Sequence, residues 1–315
     1  MGKNIEMNEV LIIGGLGFIG SNLACRLVKE GSKVTILDAE LDPYGWNHFN
    51  IKPIIDKIKY IKGDIRDKNL INNLVKRKNL IFNFAGQVSR LISIENPYLD
   101  IDININGSIN LLESVREFSP GAKVIFAGSR GQTGEPKYLP VDEKHPDNPT
   151  DIYGINKLAA EKYHKIYNDI YDVKTTTFRI NNVYGPKCQI KHGHYGVLNL
   201  FIYKALIGEP LTVYGTGNQT RDYIYIDDLI DAFLKVIDNP QTNGHFYQIG
   251  SGKETKFMDM VELILINTEH SKAKHIPFPK ILDIIDIDRY VSNISKIKND
   301  AKWVPKVSLK TGIQR

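Results

Sequence analysis

Cysteine, arginine and long apolar runs are all scarce in this sequence of 315 residues. The two cysteines, Cys25 and Cys188, are too few for a disulfide framework or a zinc cluster. No apolar run reaches the roughly 18 residues that a membrane span needs, which argues against a membrane-inserted protein. The first residues also lack the apolar stretch of a signal peptide. Together these absences predict a protein of the reducing cytoplasm.

Charge is nearly balanced, with 41 Lys and Arg residues against 36 Asp and Glu residues and a formal net charge of +5. A hydrophobic content of 42% with 24% charged residues argues against disorder and allows a sizeable core. The lysines are dispersed and form no basic stripe interleaved with aromatics, so a nucleic-acid partner is not expected. Only ten residues are Arg. An Arg in a polar loop therefore suggests a need for its planar fork, which Lys cannot supply.

Short apolar runs alternate with helical patterns through the first half of the chain. Strands are predicted at 10–13, 33–37, 60–61, 80–84, 123–126 and 175–179, and helices at 21–30, 67–77, 105–118 and 150–171. This alternation predicts an α/β fold, in which helices cover both faces of a doubly wound parallel sheet. Beyond residue 185 the pattern becomes irregular. We therefore expect one domain at 1–179, with returning strands near 224–250, and a smaller mixed α/β domain at 180–315.

A glycine triplet follows the first predicted strand and precedes a helix. Gly14, Gly17 and Gly20 have the spacing GxxGxxG. In a Rossmann-type domain this turn lets a dinucleotide pyrophosphate approach backbone N–H groups at the helix N-terminus. Asp38 ends the next strand, 18 residues beyond Gly20, where a carboxylate accepts both ribose hydroxyls and repels a 2′-phosphate. The sequence therefore predicts that NAD is preferred to NADP.

A second constellation combines a helix and a strand end. Tyr153 and Lys157 are four residues apart on the predicted helix 150–171, so that the phenol and the ammonium share one face. Ser129 follows the strand 123–126, at the sheet edge where ligands of α/β proteins bind. A nearby ammonium and a positively charged nicotinamide ring favour the phenolate, so we expect the pKa of Tyr153 to be lowered for acid/base work.

With the runs at 83–87, 104–107, 179–186, 215–223 and 301–305, these motifs resemble the extended short-chain dehydrogenase/reductase family of NAD-dependent nucleotide-sugar epimerases and dehydratases. The resemblance implies that Tyr153 is the acid/base, that Lys157 orients it and the nicotinamide ribose, and that Ser129 hydrogen-bonds the reacting hydroxyl. It also implies a homodimer formed through the helices at 105–118 and 150–171.

The resemblance further implies contacts along both ligands. Contacts to NAD are expected at Gly14, Gly17, Phe18, Ile19, Gly20, Asp38, Asp64, Ile65, Ala85, Gly86, Gln87, Asn104, Tyr153 and Lys157. Contacts to the nucleotide sugar are expected at Ser129, Arg130, Asn182, Val197, Leu198, Tyr214, Arg221, Arg289 and Tyr290.

Some of these expected roles are specific. Arg221 would bind the diphosphate. Arg289 is left open between compensating for a second family Arg that is missing near Asp286 and being solvated. The bulk of Tyr290 would favour plain hexoses over N-acetylhexosamines. Two roles stay open for Arg179, namely substrate binding or an ion pair with a buried carboxylate.

The residues after Ser129 bear on the reaction. They are Arg130 and Gly131, whereas sugar 4,6-dehydratases of this family carry Asp-Glu there. The missing carboxylates argue against a dehydratase and, less firmly, against a decarboxylase. A UDP-sugar 4-epimerase is therefore the leading hypothesis, with UDP-glucose and UDP-galactose as the default pair and UDP-N-acetylhexosamines as a further option.

Two classes of alternative stay open. The run at 84–89 resembles CDP-sugar 2-epimerases, so a CDP- or dTDP-sugar epimerase, or a 4-ketoreductase, is the first. The second is a non-catalytic protein that binds NAD and a nucleotide, against which the retained Ser129, Tyr153 and Lys157 speak. His192 and His194 lie in a polar loop without a nearby carboxylate, and we expect a solvated surface and no metal there.

Overall fold

The computed structural model describes residues 8–193, 195–268 and 271–315. The strands are β1 (Glu9–Ile13), β2 (Lys33–Asp38), β3 (Ile58–Lys62), β4 (Leu80–Asn83), β5 (Lys123–Ser129), β6 (Lys174–Ile180), β7 (Asn182–Tyr184), β8 (Leu211–Tyr214), β9 (Thr220–Arg221), β10 (Tyr223–Tyr225), β11 (His245–Ile249), β12 (Thr255–Lys256) and β13 (Ala273–Ile276).

The α-helices are α1 (Phe18–Lys29), α2 (Lys68–Leu74), α3 (Arg90–Glu95), α4 (Pro97–Ile101), α5 (Gly107–Phe118), α6 (Ile152–Tyr171), α7 (Val197–Leu206), α8 (Ile226–Val236), α9 (Phe257–Ile266), α10 (Lys280–Ile285), α11 (Ser295–Ala301) and α12 (Leu309–Gln314). Short 3₁₀ segments lie at His48–Lys57, Arg130–Gln132 and Pro240–Thr242, and a π-helical segment lies at Asp102–Asn106.

A seven-stranded parallel sheet in the order β11-β6-β5-β4-β1-β2-β3 is the centre of the fold. Val10 of β1 pairs with Val34 on one side and Leu80 on the other, and helices bury both faces of the sheet. The predicted α/β fold with a Rossmann-like doubly wound sheet is confirmed. Strand β11 comes from the late part of the chain and pairs with β6 at the sheet edge.

Side-chain caps set where two of the helices begin. Asp67 accepts a hydrogen bond from the Leu70 N–H at 3.0 Å, and Asp151 accepts one from the Gly154 N–H at 2.7 Å. Each bond satisfies a backbone donor that lacks a partner within its own helix. Helix α6 therefore starts at Ile152, and Tyr153 lies in its first turn.

The predicted helix at 105–118 is longer and less regular than the sequence pattern indicated. Helix α4, the π-helical segment and α5 follow one another without a break from residue 97 to residue 118. The Ser108 hydroxyl donates to the Asn104 carbonyl at 2.7 Å within this stretch. Such π-helical turns are rare and are frequent at functional sites.

The irregular part of the chain builds a second wall beside the sheet. Its strand pairs are β8 with β13, β7 with β10, and β9 with β12. The buried carboxylate of Asp222 joins three segments, because it accepts hydrogen bonds from the N–H groups of Ser251 at 2.6 Å, Ser292 at 3.0 Å and Gly252 at 3.2 Å. In the described ranges, no helix combines the length and the apolar character needed to cross a membrane.

Candidate active site

A cleft of about 1170 Å³ lies over the carboxyl ends of the central strands, between the sheet and the second wall. One half, here called the cofactor half, is lined by the residues that follow β1, β2, β3 and β4. The other, called the substrate half, is lined by residues from α7, β8, β9 and α10. Ser129, Tyr153 and Lys157 lie where the two halves meet. Ligands of doubly wound α/β proteins bind at this edge of the sheet.

The three glycines of the triplet differ in what a side chain at each position would meet. A Cβ on Gly14, which has φ +80°, would lie 2.8 Å from the Phe84 carbonyl carbon, and one on Gly20 would lie 2.4 Å from the Gly14 oxygen. A Cβ on Gly17 would have no protein atom closer than 3.4 Å, and Gly17 lines the cleft. The space beside Gly17 and the uncapped start of α1 together form a cradle that fits a dinucleotide pyrophosphate.

Acidic side chains follow β2 and β3 in the cofactor half. Asp38 accepts hydrogen bonds from the N–H groups of Leu16 at 2.9 Å and Glu40 at 3.0 Å. Burial raises the pKa of Asp38, and these two backbone bonds oppose the rise. Burial also raises the pKa of Asp64, but the hydrogen bonds from Arg66 outweigh it, and the resulting pKa lies below its usual range.

Most of the expected cofactor contacts line this half. The residues are Gly14, Gly17, Phe18, Ile19, Gly20, Asp38, Asp64, Ile65, Ala85 and Gly86.

The side chains of Gln87 and Asn104 lie behind the cleft wall, and their expected contact with NAD stays a prediction. Gln87 is buried and donates to the Asp100 carboxylate at 2.6 Å. Asn104, within the π-helical turn, donates to Asp100 at 3.1 Å and to the Gln87 carbonyl at 3.1 Å. The turn directs Asn104 into the protein interior, so both amides support the wall rather than form its surface.

Asp100 is a residue of this site that the sequence analysis missed. Its buried carboxylate accepts hydrogen bonds from three amides, of Gln87, Asn104 and Asn156, the last at 2.6 Å. Its negative charge also acts on Lys157. Asp100 lies four residues before Asn104, so helical spacing was a signal that could have found it.

The three catalytic candidates are brought together as their spacing predicts. Strand β5 ends at Ser129, whose hydroxyl accepts from the Gly131 N–H at 3.2 Å and whose own N–H donates to the Gln132 side chain at 2.6 Å. The backbone N–H of Tyr153 donates to the Ser93 hydroxyl at 3.2 Å. The Lys157 ammonium lies 4.1 Å from the centre of the Phe126 ring.

The expected lowering of the Tyr153 pKa is not found. Burial raises the pKa of Tyr153 to about 12, although the hydrogen bond with Ser129 opposes the rise. Burial lowers the pKa of Lys157 to about 7, with Asp100 opposing. Burial is the largest influence on both pKa values because the site is enclosed by protein.

In the substrate half, Arg221 lines the cleft but its fork is already engaged. One terminal nitrogen donates to both carboxylate oxygens of Asp286, at 2.7 and 2.8 Å. The other donates to the backbone carbonyls of Ile287 at 2.6 Å and Thr220 at 2.8 Å. The remaining expected residues on this side of the cleft are Arg130, Asn182, Val197, Leu198 and Tyr214.

Arg289 and Tyr290 do not line the cleft, which corrects two expected substrate contacts. The Arg289 side chain is 57% exposed and pairs with Glu254 at 2.8 Å. Tyr290 is buried and its hydroxyl donates to the Gln248 amide oxygen at 3.1 Å. Its ring lies 5.5 Å from the guanidinium carbon of Arg130. Arg289 therefore does not replace the missing family Arg. Tyr290 does not line the cleft itself but contacts Arg130, which does.

Two further expectations concern Arg179 and the histidines of the polar loop. Arg179 is fully buried and pairs with Glu161 and Asp147, each at 2.6 Å, so its role is structural. His192 hydrogen-bonds the Pro43 carbonyl at 2.8 Å, whereas His194 lies outside the described residues. In the part of the chain that the structure describes, no group of three His, Cys, Asp or Glu side chains is arranged to hold a metal ion.

Comparison with known proteins agrees with this geometry. The profile of the NAD dependent epimerase/dehydratase family matches residues 10–250. The chain belongs to this family. Its cofactor is NAD, which fits the cradle at Gly17 and supplies a hydride acceptor and donor when bound. This family member is thus an NAD-dependent enzyme with nucleotide-sugar enzymes as relatives.

Its relatives differ in the nucleotide and in the sugar carbon that they act on. The chain is 31% identical over 311 residues to the UDP-glucose 4-epimerase of Mycolicibacterium smegmatis, with 98% of this chain and 96% of the relative covered. It is 29% identical over 333 residues to the CDP-paratose 2-epimerase of Salmonella typhi, with 98% and 97% covered. The structure of UDP-glucose 4-epimerase from Thermotoga maritima with UDP-glucose matches with a TM-score of 0.89 and 29% identity, over 97% of this chain and 96% of that one.

Proposed function

We propose that the enzyme is a UDP-sugar 4-epimerase that interconverts UDP-glucose and UDP-galactose. The observation that carries the proposal is the meeting of Ser129, Tyr153 and Lys157 beside the NAD cradle, with Arg130 and Gly131 following Ser129. Proton transfer at one hydroxyl needs only the first three residues. Elimination of water would need an additional acid and base, and neither residue after Ser129 is a carboxylate.

Each of the three side chains has a distinct task at the C4 hydroxyl. Tyr153 exchanges the hydroxyl proton, and its hydrogen bond with Ser129 favours the phenolate. Ser129 also holds the sugar hydroxyl in line with the phenol. Lys157, when protonated, stabilises negative charge that develops on the phenolic oxygen, and Asp100 helps it to remain protonated by opposing the effect of burial on its pKa.

Two loops meet beside the cofactor half and favour retention of NAD. The His192 ring nitrogen donates to the Pro43 carbonyl of the loop at 42–47 at 2.8 Å, and the Lys191 ammonium lies 5.5 Å from the ring centre of Trp46 in the same loop. An epimerase restores its cofactor in every cycle and does not need to release it. A 4-ketoreductase exchanges its cofactor at each turnover, so these contacts favour the epimerase.

The decisive experiment incubates the purified enzyme with UDP-glucose or UDP-galactose, without added reductant, and analyses the sugar by NMR. We expect both substrates to reach the same mixture of the two epimers, and we expect stoichiometric NAD to be released on denaturation. If neither UDP-hexose gives an epimer, the proposal is wrong. A non-catalytic protein would bind NAD and nucleotide without turnover, and a reductase would require added NADPH.

A CDP-sugar 2-epimerase is the second candidate. The run at 84–89, which resembles that group, forms the cleft wall at Ala85 and Gly86 and supplies Gln87 to the buried Asp100 cluster. The same NMR assay with a CDP-hexose distinguishes it. Inversion at C2 of a CDP-sugar, without inversion at C4 of a UDP-sugar, would replace the first candidate by this one.

We also propose that the chain works as a cytoplasmic homodimer. Helix α6 exposes Ile155, Ile166 and Ile170 along its outer side, and Tyr98 of α4 is 79% exposed. Such apolar helix faces are typical of interfaces between subunits. Light scattering after gel filtration should give twice the 35.7 kDa chain mass, and Ile166→Lys should shift the protein towards monomer. A monomeric wild-type protein at micromolar concentration would contradict this.

We further propose that the two domains bind different ligands. Residues 1–179 would bind NAD and residues 180–315 would bind the nucleotide sugar, with β11 returning to the sheet of the first domain. Support comes from the cleft, whose cofactor half and substrate half are lined mainly by these two parts.

A further inference from the structure

We infer that Arg130 is a specificity-determining residue that makes the enzyme prefer UDP-sugars bearing a carboxylate at C6 over neutral UDP-hexoses. The inference rests on the proposed 4-epimerase function and refines its sugar specificity, because it ranks a UDP-uronate above the UDP-hexoses named there. It depends on three properties of Arg130: a fixed position, an unpaired charge and closeness to the C4 site.

The position of Arg130 is fixed by the short 3₁₀ turn that follows β5. Ser129 accepts from the Gly131 N–H at 3.2 Å, and Gln132 accepts from the Ser129 N–H at 2.6 Å. Gln132 is itself held by Glu161 at 2.8 Å. The Thr133 N–H also donates to the Arg130 carbonyl at 3.0 Å. These bonds fix the backbone around Arg130, so its side chain enters the cleft from a rigid support.

Arg130 differs from the other two arginines of the cleft in its charge balance. Arg90 forms an ion pair with Asp151, and Arg221 forms one with Asp286. Nη1 of Arg130 is enclosed and has no hydrogen-bond partner among the described residues. Burial, followed by repulsion from Arg221 and Arg90, lowers the pKa of Arg130 to about 10, which still leaves it protonated at pH 7.

An enclosed guanidinium without a partner is unfavourable, and an anionic ligand relieves it. A neutral CH₂OH group at C6 supplies no negative charge. A carboxylate at the same carbon offers two oxygens to the planar fork. The charge balance of the cleft therefore favours a uronic acid over a hexose.

Closeness to the C4 site selects the sugar carboxylate over the diphosphate as the anion. Arg130 directly follows Ser129, and its charge acts on Tyr153. Both neighbours are assigned to the C4 hydroxyl. In a pyranose ring, C5 with its C6 substituent is bonded to C4, whereas C1, which carries the diphosphate, is on the opposite side of the ring. The group nearest to Arg130 is then the one at C6.

The test compares UDP, UDP-glucose and UDP-glucuronate on the NAD-loaded wild type and the Arg130→Met variant. Affinity is measured by calorimetry and turnover by NMR. We expect the wild type to favour UDP-glucuronate, and we expect Arg130→Met to weaken UDP-glucuronate about 10- to 100-fold more than UDP-glucose, as for loss of a charge-assisted hydrogen bond. Arg289→Met is the matched control, because Arg289 lies outside the cleft, and should leave the preference unchanged.

Several outcomes would overturn the inference. One is a wild-type preference for UDP-glucose. Another is an equal loss of affinity for UDP, UDP-glucose and UDP-glucuronate in Arg130→Met, which would assign Arg130 to the diphosphate. Arg130→Lys, which keeps the charge, covers the case in which the Met variant does not fold, and it should retain part of the preference. If no UDP-sugar is epimerised but UDP-glucuronate binds more tightly through Arg130, the proposed function fails and this inference stands.

Discussion

The two halves of the cleft present different kinds of groups to the ligands proposed for them. In the cofactor half, the recognition elements are backbone features, namely the glycine turn before α1 and the helix N-terminus, with carboxylates at strand ends. In the substrate half, the groups are long side chains such as Arg221, whose direction depends on Asp286, and Arg130, whose supporting turn is held by the bond of Gln132 to Glu161. Backbone recognition is encoded in short motifs, whereas side-chain recognition depends on which segments fold against each other.

The two halves should respond differently to amino-acid substitutions. A substitution in the glycine turn collides with backbone that cannot move far. A substitution in the substrate half releases a side chain from an ion pair and leaves the backbone intact. The cofactor half should therefore fail through loss of structure or of NAD, and the substrate half through weaker or altered binding of the sugar.

The largest effect is expected where the two halves meet. Tyr153→Phe removes the hydroxyl that exchanges the proton, and kcat should fall about 10²- to 10⁴-fold, the usual contribution of a general acid or base. The NAD content and the affinity for UDP serve as controls, since the ring still fills its place in α6. Wild-type turnover in Tyr153→Phe would show that another group transfers the proton.

The next largest effect is expected where helix α6 packs against strand β5, two elements that both halves share. His164 of α6 is buried and stacked on Phe126 at 4.4 Å, and burial lowers its pKa from 6.5 to about 4. The unfolded chain therefore binds a proton more readily than the folded protein. The contribution of neutral His164 to the free energy of unfolding is fully present above about pH 6.5. The free energy of unfolding should then decline by about 3 kcal/mol as the pH falls from about 6.5 to about 4.

Urea unfolding at pH 7, 6, 5 and 4 measures this decline, and both halves should lose their ligands together. His164→Gln is the comparison variant, because it cannot take up the proton and should show a flatter dependence on pH. An equal decline in both proteins would assign the acid sensitivity to other groups.

A paired substitution in the glycine turn separates structure from cofactor binding. Gly20→Ala brings a Cβ to 2.4 Å from the Gly14 oxygen, and a loss of about 1–3 kcal/mol in unfolding free energy is expected from overpacking. Gly17→Ala meets no protein atom closer than 3.4 Å, so stability should be kept while the NAD content falls. Thermal melting and NAD released on denaturation measure the two effects. Full NAD content in Gly17→Ala would contradict the assigned cradle.

The smallest effects compare two arginines of the substrate side. Arg221→Lys has one terminal nitrogen in place of two and cannot bind Asp286 and the Thr220 and Ile287 carbonyls together. KM for the UDP-sugar should therefore rise about 10-fold with NAD content unchanged. Arg289→Lys changes only an exposed pair with Glu254, which is worth less than about 1 kcal/mol, so KM should stay within about twofold. If Arg289→Lys raised KM as much as Arg221→Lys, Arg289 would belong to the site after all.

Much of the site was predictable, because its motifs are local. The turn after β1 requires glycine at Gly20 because a Cβ there would collide with the Gly14 oxygen six residues earlier. The spacing of Tyr153 and Lys157 follows from the geometry of one helix. Asp38 and Ser129 end strands whose apolar pattern is visible in the sequence.

Other features were not predictable from spacing. The π-helical turn that directs Asn104 inwards interrupts a pattern that otherwise indicates one regular helix. The lowering expected for the Tyr153 pKa neglected burial, which is a property of the whole fold. Neighbouring positions in the segment before α11 have opposite environments, with Arg289 exposed and Tyr290 buried.

The sequence by itself determined the fold class, the NAD cradle and the residues Ser129, Tyr153 and Lys157, because each follows from contacts between residues close in the chain. Only the tertiary structure decided that Asp286 binds one terminal nitrogen of Arg221, that Asp100 acts on Lys157 and that Nη1 of Arg130 has no hydrogen-bond partner among the described residues. Charge pairing in an enclosed cleft depends on distances between segments that are far apart in sequence, and those distances exist only in the folded chain.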